Sequence, residues 1–394
     1  EALLNHELTS RTLDDWLEAS TRFTALAGEM GTRLYNATNV NTVDETAEKR
    51  YHRYLDDVSP HISQFRDKLN RKLLDSELQP ENFSVPLRKI RTQVALFREE
   101  NIPLNTEESK LGNVYYAIRG KQVVDWDGEE KTLAQLRPYQ RDPERATREK
   151  AWRLITQSYQ DHRDEFDEVW RKLMDLRKQI AQNAGYDDYR GYIWQEKLRF
   201  DYTPEDALAL CDAVEAVVVP ALERRNEKQR QQLGVDRLRP WDAMVDPFGR
   251  EPLKPFEDVD TMMEQSQVIF DKVDRSIGEY YKTLRDENLL DLDNRKNKGP
   301  GGYHTSLSNA KRSFIFANAV GLHSDFNTLV HEIGHAYHAY LKFQLPYLPQ
   351  WNTPMEFNEV ASMSLELLIT PYLADSAGGF YSDADAARAR IEHL

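Results

Sequence analysis

The strongest constraint on the fold is a recurrence of apolar residues every three or four positions. Phe166, Val169, Trp170, Leu173, Leu176 and Ile180 follow this spacing, as do Trp16, Phe23, Leu26 and Met30. Such spacing keeps one stripe of a helix apolar and suits no strand. Only 17 Gly and 17 Pro interrupt 394 residues, so helices dominate the reading. Asp142-Pro143-Glu144 and Thr203-Pro204-Glu205-Asp206 look like helix starts, each with a capping side chain followed by proline. The second predicts a helix to about Leu233, with Cys211 as a packed core thiol beside Leu208, Leu210 and Val214. Asp258–Leu284 reads as one further helix, and Gly185 as a helix stop. Ser76–Asn82, Asn101–Glu108 and Leu238–Pro255, each with proline, read as breaks. Val114–Arg119, Val123–Trp126 and Lys131–Leu133 are strand candidates, the last two joined by the turn Asp127-Gly128. A helix opening at Ser382 runs to Leu394 with no closing Gly, Asn or Pro, which predicts that the natural chain continues.

Charge and cysteine usage remove several functional classes. Lys and Arg total 52 against 66 Asp and Glu, a formal net charge of −14. That balance argues against a nucleic-acid partner and a membrane-surface partner. One cysteine excludes a disulfide framework and a Cys-rich zinc module. The most apolar short run, Ala213–Ala221, contains Glu215 and Pro220, so no transmembrane helix is expected. The first seven residues lack the basic start and apolar core of a signal peptide. The expected protein is soluble and cytoplasmic.

The chemistry concentrates in the histidines. Five of the ten (His304, His323, His331, His335, His338) fall within 35 positions. His331-Glu332-Ile333-Gly334-His335 is an H-E-x-x-H string. Residues four apart on a helix differ by a net angle of about 40°, so both imidazoles leave one face and can share a Zn²⁺ ion. Glu332 lies about 100° round from His331, out of reach as a ligand but near enough for water at the ion. Two incidental surface histidines would give the same string. A catalytic site needs a third ligand. Glu359 and Glu366, about 20° apart on a helix, share a face, with Ser362 beside them and Val360, Met363, Leu367 and Leu368 as packing. One carboxylate would bind the metal and the other would orient a histidine, unless both are merely solvated.

The string His331–His335, with Glu359 following 24 positions later in E-x-x-S-x-x-x-E, resembles the M3 family of zinc metallopeptidases. The likeness is nearest to the oligoendopeptidase F group, relatives of thimet oligopeptidase and neurolysin. Asp293–Tyr303 and Phe314–Asn318 resemble two further segments of that group, so the motifs cover about residues 289–368. The resemblance implies a mainly α, two-lobed, zincin-like metallopeptidase with a small β element and a deep channel for oligopeptides. It implies an N-terminal helical lobe (1–112), a catalytic domain (113–394) truncated at its C-terminus, and one Zn²⁺ ion. His331, His335 and Glu359 would be its ligands, Glu332 the general base and acid, and Glu366 an outer support. Gly301, Gly302, Tyr303, His304, Phe316 and Ala317 would lie near the substrate, with Phe314–Asn318 as an apolar edge strand able to pair with peptide. The histidines His304 and His338, taken on their own, read better as core or surface residues. Relatives continue past the glutamate helix with Tyr and His residues that stabilise the oxyanion. The alternative expectation is therefore a zinc-containing peptide-binding module, with little catalysis until that C-terminal segment joins it.

Overall fold

A computed structural model describes residues 1–393. The protein is mainly helical, and no helix among the described residues is long and apolar enough to cross a membrane. Its first part packs the helices Leu13–Val40, Ser59–Asp75 and Ser84–Leu96 around Trp16, Leu17, Leu69, Phe83 and Ile90. The helix Asn101–Gly120 follows. It absorbs both the expected break at Asn101–Glu108 and the expected strand Val114–Arg119. Pro103 lies in its first turn, where backbone N–H groups have no intrahelical acceptor and proline costs little. The boundary drawn at 112/113 therefore falls inside a continuous helix.

The hairpin is present as strands β1 (Val123–Trp126) and β2 (Glu129–Thr132), paired antiparallel. Asp127 and Gly128 both have positive φ, 56° and 88°, the conformation a two-residue hairpin turn requires. The next helix, Arg145–Asp161, begins later than expected, with Glu144 rather than Asp142 as its cap. Arg148 and Arg145 both reach the fully buried Asp242 carboxylate, pinning this helix to the Pro240–Asp242 turn.

Pro204–Leu233 is helical over the span its caps predict. Thr203 and Asp206 form a reciprocal capping box, and Gly234 closes the helix at φ 65°. None of its side chains is buried, and Cys211 is exposed, which corrects the core-thiol reading. Capping is local, whereas burial needs another element to arrive. Asp258–Leu284 is two helices, Val259–Val273 and Arg275–Asp286. The break falls at Asp274, whose extended backbone lets its carboxylate accept from Ser276 N–H.

The remaining sheet orders β3 (Leu290–Asp293), β5 (Arg312–Ala319) and β4 (Tyr303–Leu307), with β5 in the middle. It pairs parallel to β3 and antiparallel to β4. Phe314–Asn318 is thus a central strand with both edges occupied, which corrects the edge-strand expectation. Ile315 and Ala317 pack into the largest core with Phe326, Leu329, Val330 and Ile333. Those four belong to the helix His323–Lys342, which carries the histidine pair and is called the His helix below. Met355–Leu368, called the Glu helix, crosses it. Gly334 makes the approach possible: a Cβ there would lie 2.6 Å from Ser362 Cα. Val360, Met363, Leu367 and Leu368 are all more than half exposed. They supply no packing, because Ser362 and Leu365 are the Glu helix residues turned inward.

Candidate metal centre

The His helix presents His331 and His335 from one face, their rings 4.7 Å apart and nearly perpendicular. From the Glu helix, Glu359 Oε2 lies 3.2 Å from His331 Nε2 and 3.4 Å from His335 Nε2. These three ligand atoms lie within 4.8 Å of one another. Two imidazole nitrogens and one carboxylate oxygen suit zinc, which takes N and O donors in a tetrahedral site and in enzymes keeps a corner open. The arrangement is braced from outside. Glu366 Oε1 accepts from His331 Nδ1 at 2.7 Å, which leaves Nε2 facing Glu359. Ser362 Oγ donates to Glu359 Oε2 at 3.0 Å. A pairing of helices through Gly334 thus brings together residues separated by 24 positions of chain.

Glu332 is buried beside this cluster. Loss of hydration is the largest influence and pushes its pKa up to about 7, with Glu359 adding to the shift and His331 opposing it. Burial likewise lowers the pKa of His335, while Glu359 works the other way. These are the shifts expected when charged forms lose water.

The residues expected near substrate divide into two groups. Gly301 (φ 84°) and Gly302 form a loop packed on the His helix, where a Cβ on Gly302 would meet Thr328 Cγ2 at 2.8 Å. Asn318 donates from Nδ2 to the carbonyls of Gly299 and Gly301. Tyr303 stacks on Phe316 at 4.7 Å. Phe316, 0% exposed, packs into the core, while Ala317, 4% exposed, borders a cavity beside the glycine loop. His304 is 6.2 Å from the His335 ring and bonds Ser313 Oγ through Nε2 at 2.9 Å. Burial takes its pKa down to about 3. His338 lies against Phe357, and burial lowers its pKa to about 4.

Sequence reasoning missed the supports. Asp325 fixes the start of the His helix by accepting from Val320 N–H, Leu322 N–H and Arg137. Lys298, with a fully buried side chain, ties the glycine loop to the Asp291 and Asp293 carbonyls and to the Asp291 carboxylate. His393 stands 3.5 Å from the second oxygen of Glu366. The Asp325 contact had a signal in the sequence, an acid at the third position of the helix; the other two did not.

Fold and site together set an H-E-x-x-H pair and a facing glutamate in a mainly helical protein. The sequence profile of peptidase family M3 matches residues 139–378, and the chain belongs to that family. It is 23% identical to an oligoendopeptidase F homolog of Mycoplasma genitalium over 92% of this chain and 63% of that protein. An oligoendopeptidase F homolog of Lactococcus lactis is 25% identical over 58% of this chain and 37% of its own. A solved structure of PZ peptidase A with an inhibitor superposes with a TM-score of 0.92 at 25% identity, over all of this chain and 70% of that one. This chain therefore spans less than two thirds of the Mycoplasma relative.

Proposed function

We propose that the protein is a zinc-dependent endopeptidase that hydrolyses internal bonds of short oligopeptides in the cytoplasm. One observation carries the reading: a single carboxylate oxygen of Glu359 sits 3.2 and 3.4 Å from the inward nitrogens of His331 and His335. Those three residues would hold one Zn²⁺. Zinc bound there would polarise the scissile carbonyl and acidify water beside it. Glu332 takes a proton from the attacking water on its carboxylate and passes it to the leaving amine nitrogen. A pKa near 7 suits both halves of that exchange, since the group must accept and release the same proton. Glu366 keeps His331 in the tautomer whose Nε2 lone pair is free. The deep channel that the family resemblance implies would admit peptides and exclude folded proteins.

The test combines metal analysis with cleavage of a quenched fluorescent peptide, with and without chelator. Glu332→Gln is expected to retain zinc and lose about 10²–10⁴-fold in turnover. Undiminished turnover in that variant would remove Glu332 from its role. Peptide binding without chelator-sensitive cleavage would favour the binding-module reading instead.

A further inference from the structure

A cavity of about 390 Å³ opens on the helix that carries His331 and His335. Its walls come from the end of the helix Asn101–Gly120, the segment after β2, the glycine loop and Thr328 of the His helix. Thr328 lies four residues before Glu332. That is one turn along the same face, a rise of about 6 Å. A peptide held over Glu332 and running toward the start of the His helix therefore reaches this cavity with its next residues.

The lining is cationic within an acidic chain. Arg119, Arg137, Arg295 and Lys298 all contribute to it, and Asp325 is the one carboxylate they meet there. Three of the cations are engaged. Arg137 is paired with Asp325 at 2.6 Å, and Arg295 and Lys298 share Asp291. Arg119 has no carboxylate partner among the described residues. Its guanidinium donates to Tyr115 Oη at 3.3 Å and lies over the Tyr159 ring at 4.8 Å. Arg119 Nε is buried and has no hydrogen-bond partner among the described residues, so the guanidinium keeps a donor to spare beyond its contact with Tyr115. A cation is a poor occupant of such a space. A carboxylate is matched in charge and in hydrogen-bond polarity.

We propose that this cavity is a carboxylate-binding subsite, with Arg119 as its ion partner. The carboxylate belongs to the bound oligopeptide, as its C-terminus or as an Asp or Glu side chain. The inference rests on the peptide-processing reading above and names a substrate class for it.

The experiment measures binding, which needs no turnover. Fluorescence anisotropy with the whole zinc-loaded chain compares one labelled peptide in three forms. The forms are a free C-terminus, a C-terminal amide, and the amide carrying an internal Glu in place of Gln. We expect one carboxylate form to bind about tenfold more tightly than its neutral counterpart at low salt. The difference should shrink as salt screens it. Which form gains identifies the source of the carboxylate. Arg119→Gln should abolish the difference between the carboxylate and neutral forms, while Arg119→Lys should keep part of it. Equal affinities for all three forms in the parent protein would overturn the proposal, as would a preference that survives in Arg119→Gln. A carboxylate preference without chelator-sensitive cleavage would sustain the subsite and sink only the peptidase reading. Cleavage without the preference would do the reverse.

Discussion

Gly334→Ala tests whether the metal centre depends on how closely two helices approach. A Cβ at residue 334 would stand 2.6 Å from Ser362 Cα and 3.1 Å from the carbonyl oxygens of Ala361 and Ser362. Every one of those atoms is backbone, so no side chain can swing aside. Moving from 2.6 Å to the 3.4 Å of an ordinary contact displaces the Glu helix by about 0.8 Å. Glu359 lies three residues before Ser362 on that helix, so the shift is passed to its carboxylate. Metal–ligand distances tolerate only about 0.2 Å. The variant should stay folded, with an overpacking cost of about 1–3 kcal/mol and a melting temperature lower by a few degrees. Its zinc affinity should fall by about 10–100-fold, the size seen when supports of a metal site are disturbed. Competition titration against a chromophoric chelator reads the affinity, and calorimetry of the apo protein reads the packing cost. Gly28→Ala is the control, because a Cβ there meets nothing within 4 Å. A Gly334→Ala protein that binds zinc within twofold of the parent would refute the claim that helix spacing sets the site.

Three further predictions concern stability and accessibility. Asp242→Ala strands Arg148, itself buried, without its carboxylate. It should cost about 3–5 kcal/mol in urea unfolding, and a loss under ~1 kcal/mol would mean the pair does not hold this helix. His323 is buried against Tyr381 Oη at 2.6 Å, and burial lowers its pKa to about 4. The unfolded chain therefore takes up that proton first. Stability from this group is complete above about pH 6.5 and declines as the pH falls toward 4, by at most about 3 kcal/mol. Denaturant titrations across that window should steepen accordingly, and His323→Gln should flatten part of the slope. An identical slope in the variant would clear His323 of the effect. Cys211 should react with a thiol reagent in the native protein within minutes. Labelling that waits for denaturant would return it to the core.

The local layers of this protein are legible in its sequence because their causes sit within a few residues. Thr203, Asp206 and Gly234 bound one helix through their own backbone contacts, and Asp127-Gly128 bends one hairpin through its own dihedrals. His331 and His335 share a face because a helix repeats every 3.6 residues, and the same geometry groups Glu359 with Glu366. Expectations failed wherever the outcome depended on what arrives from elsewhere in the chain. Leu208, Cys211, Val360 and Met363 have helical spacing, yet nothing covers them. Phe316 has the character of a strand residue, but only the pairing of β5 with both β3 and β4 makes that strand central. Val114–Arg119 is β-like in composition and helical in fact, since it extends a helix already begun at Asn101. Sequence alone thus determined the capped helix Pro204–Leu233, the hairpin turn and the pair of imidazoles. Tertiary packing decided where the Glu359 carboxylate stands, because it reaches the pair only where Gly334 lets two backbones come together.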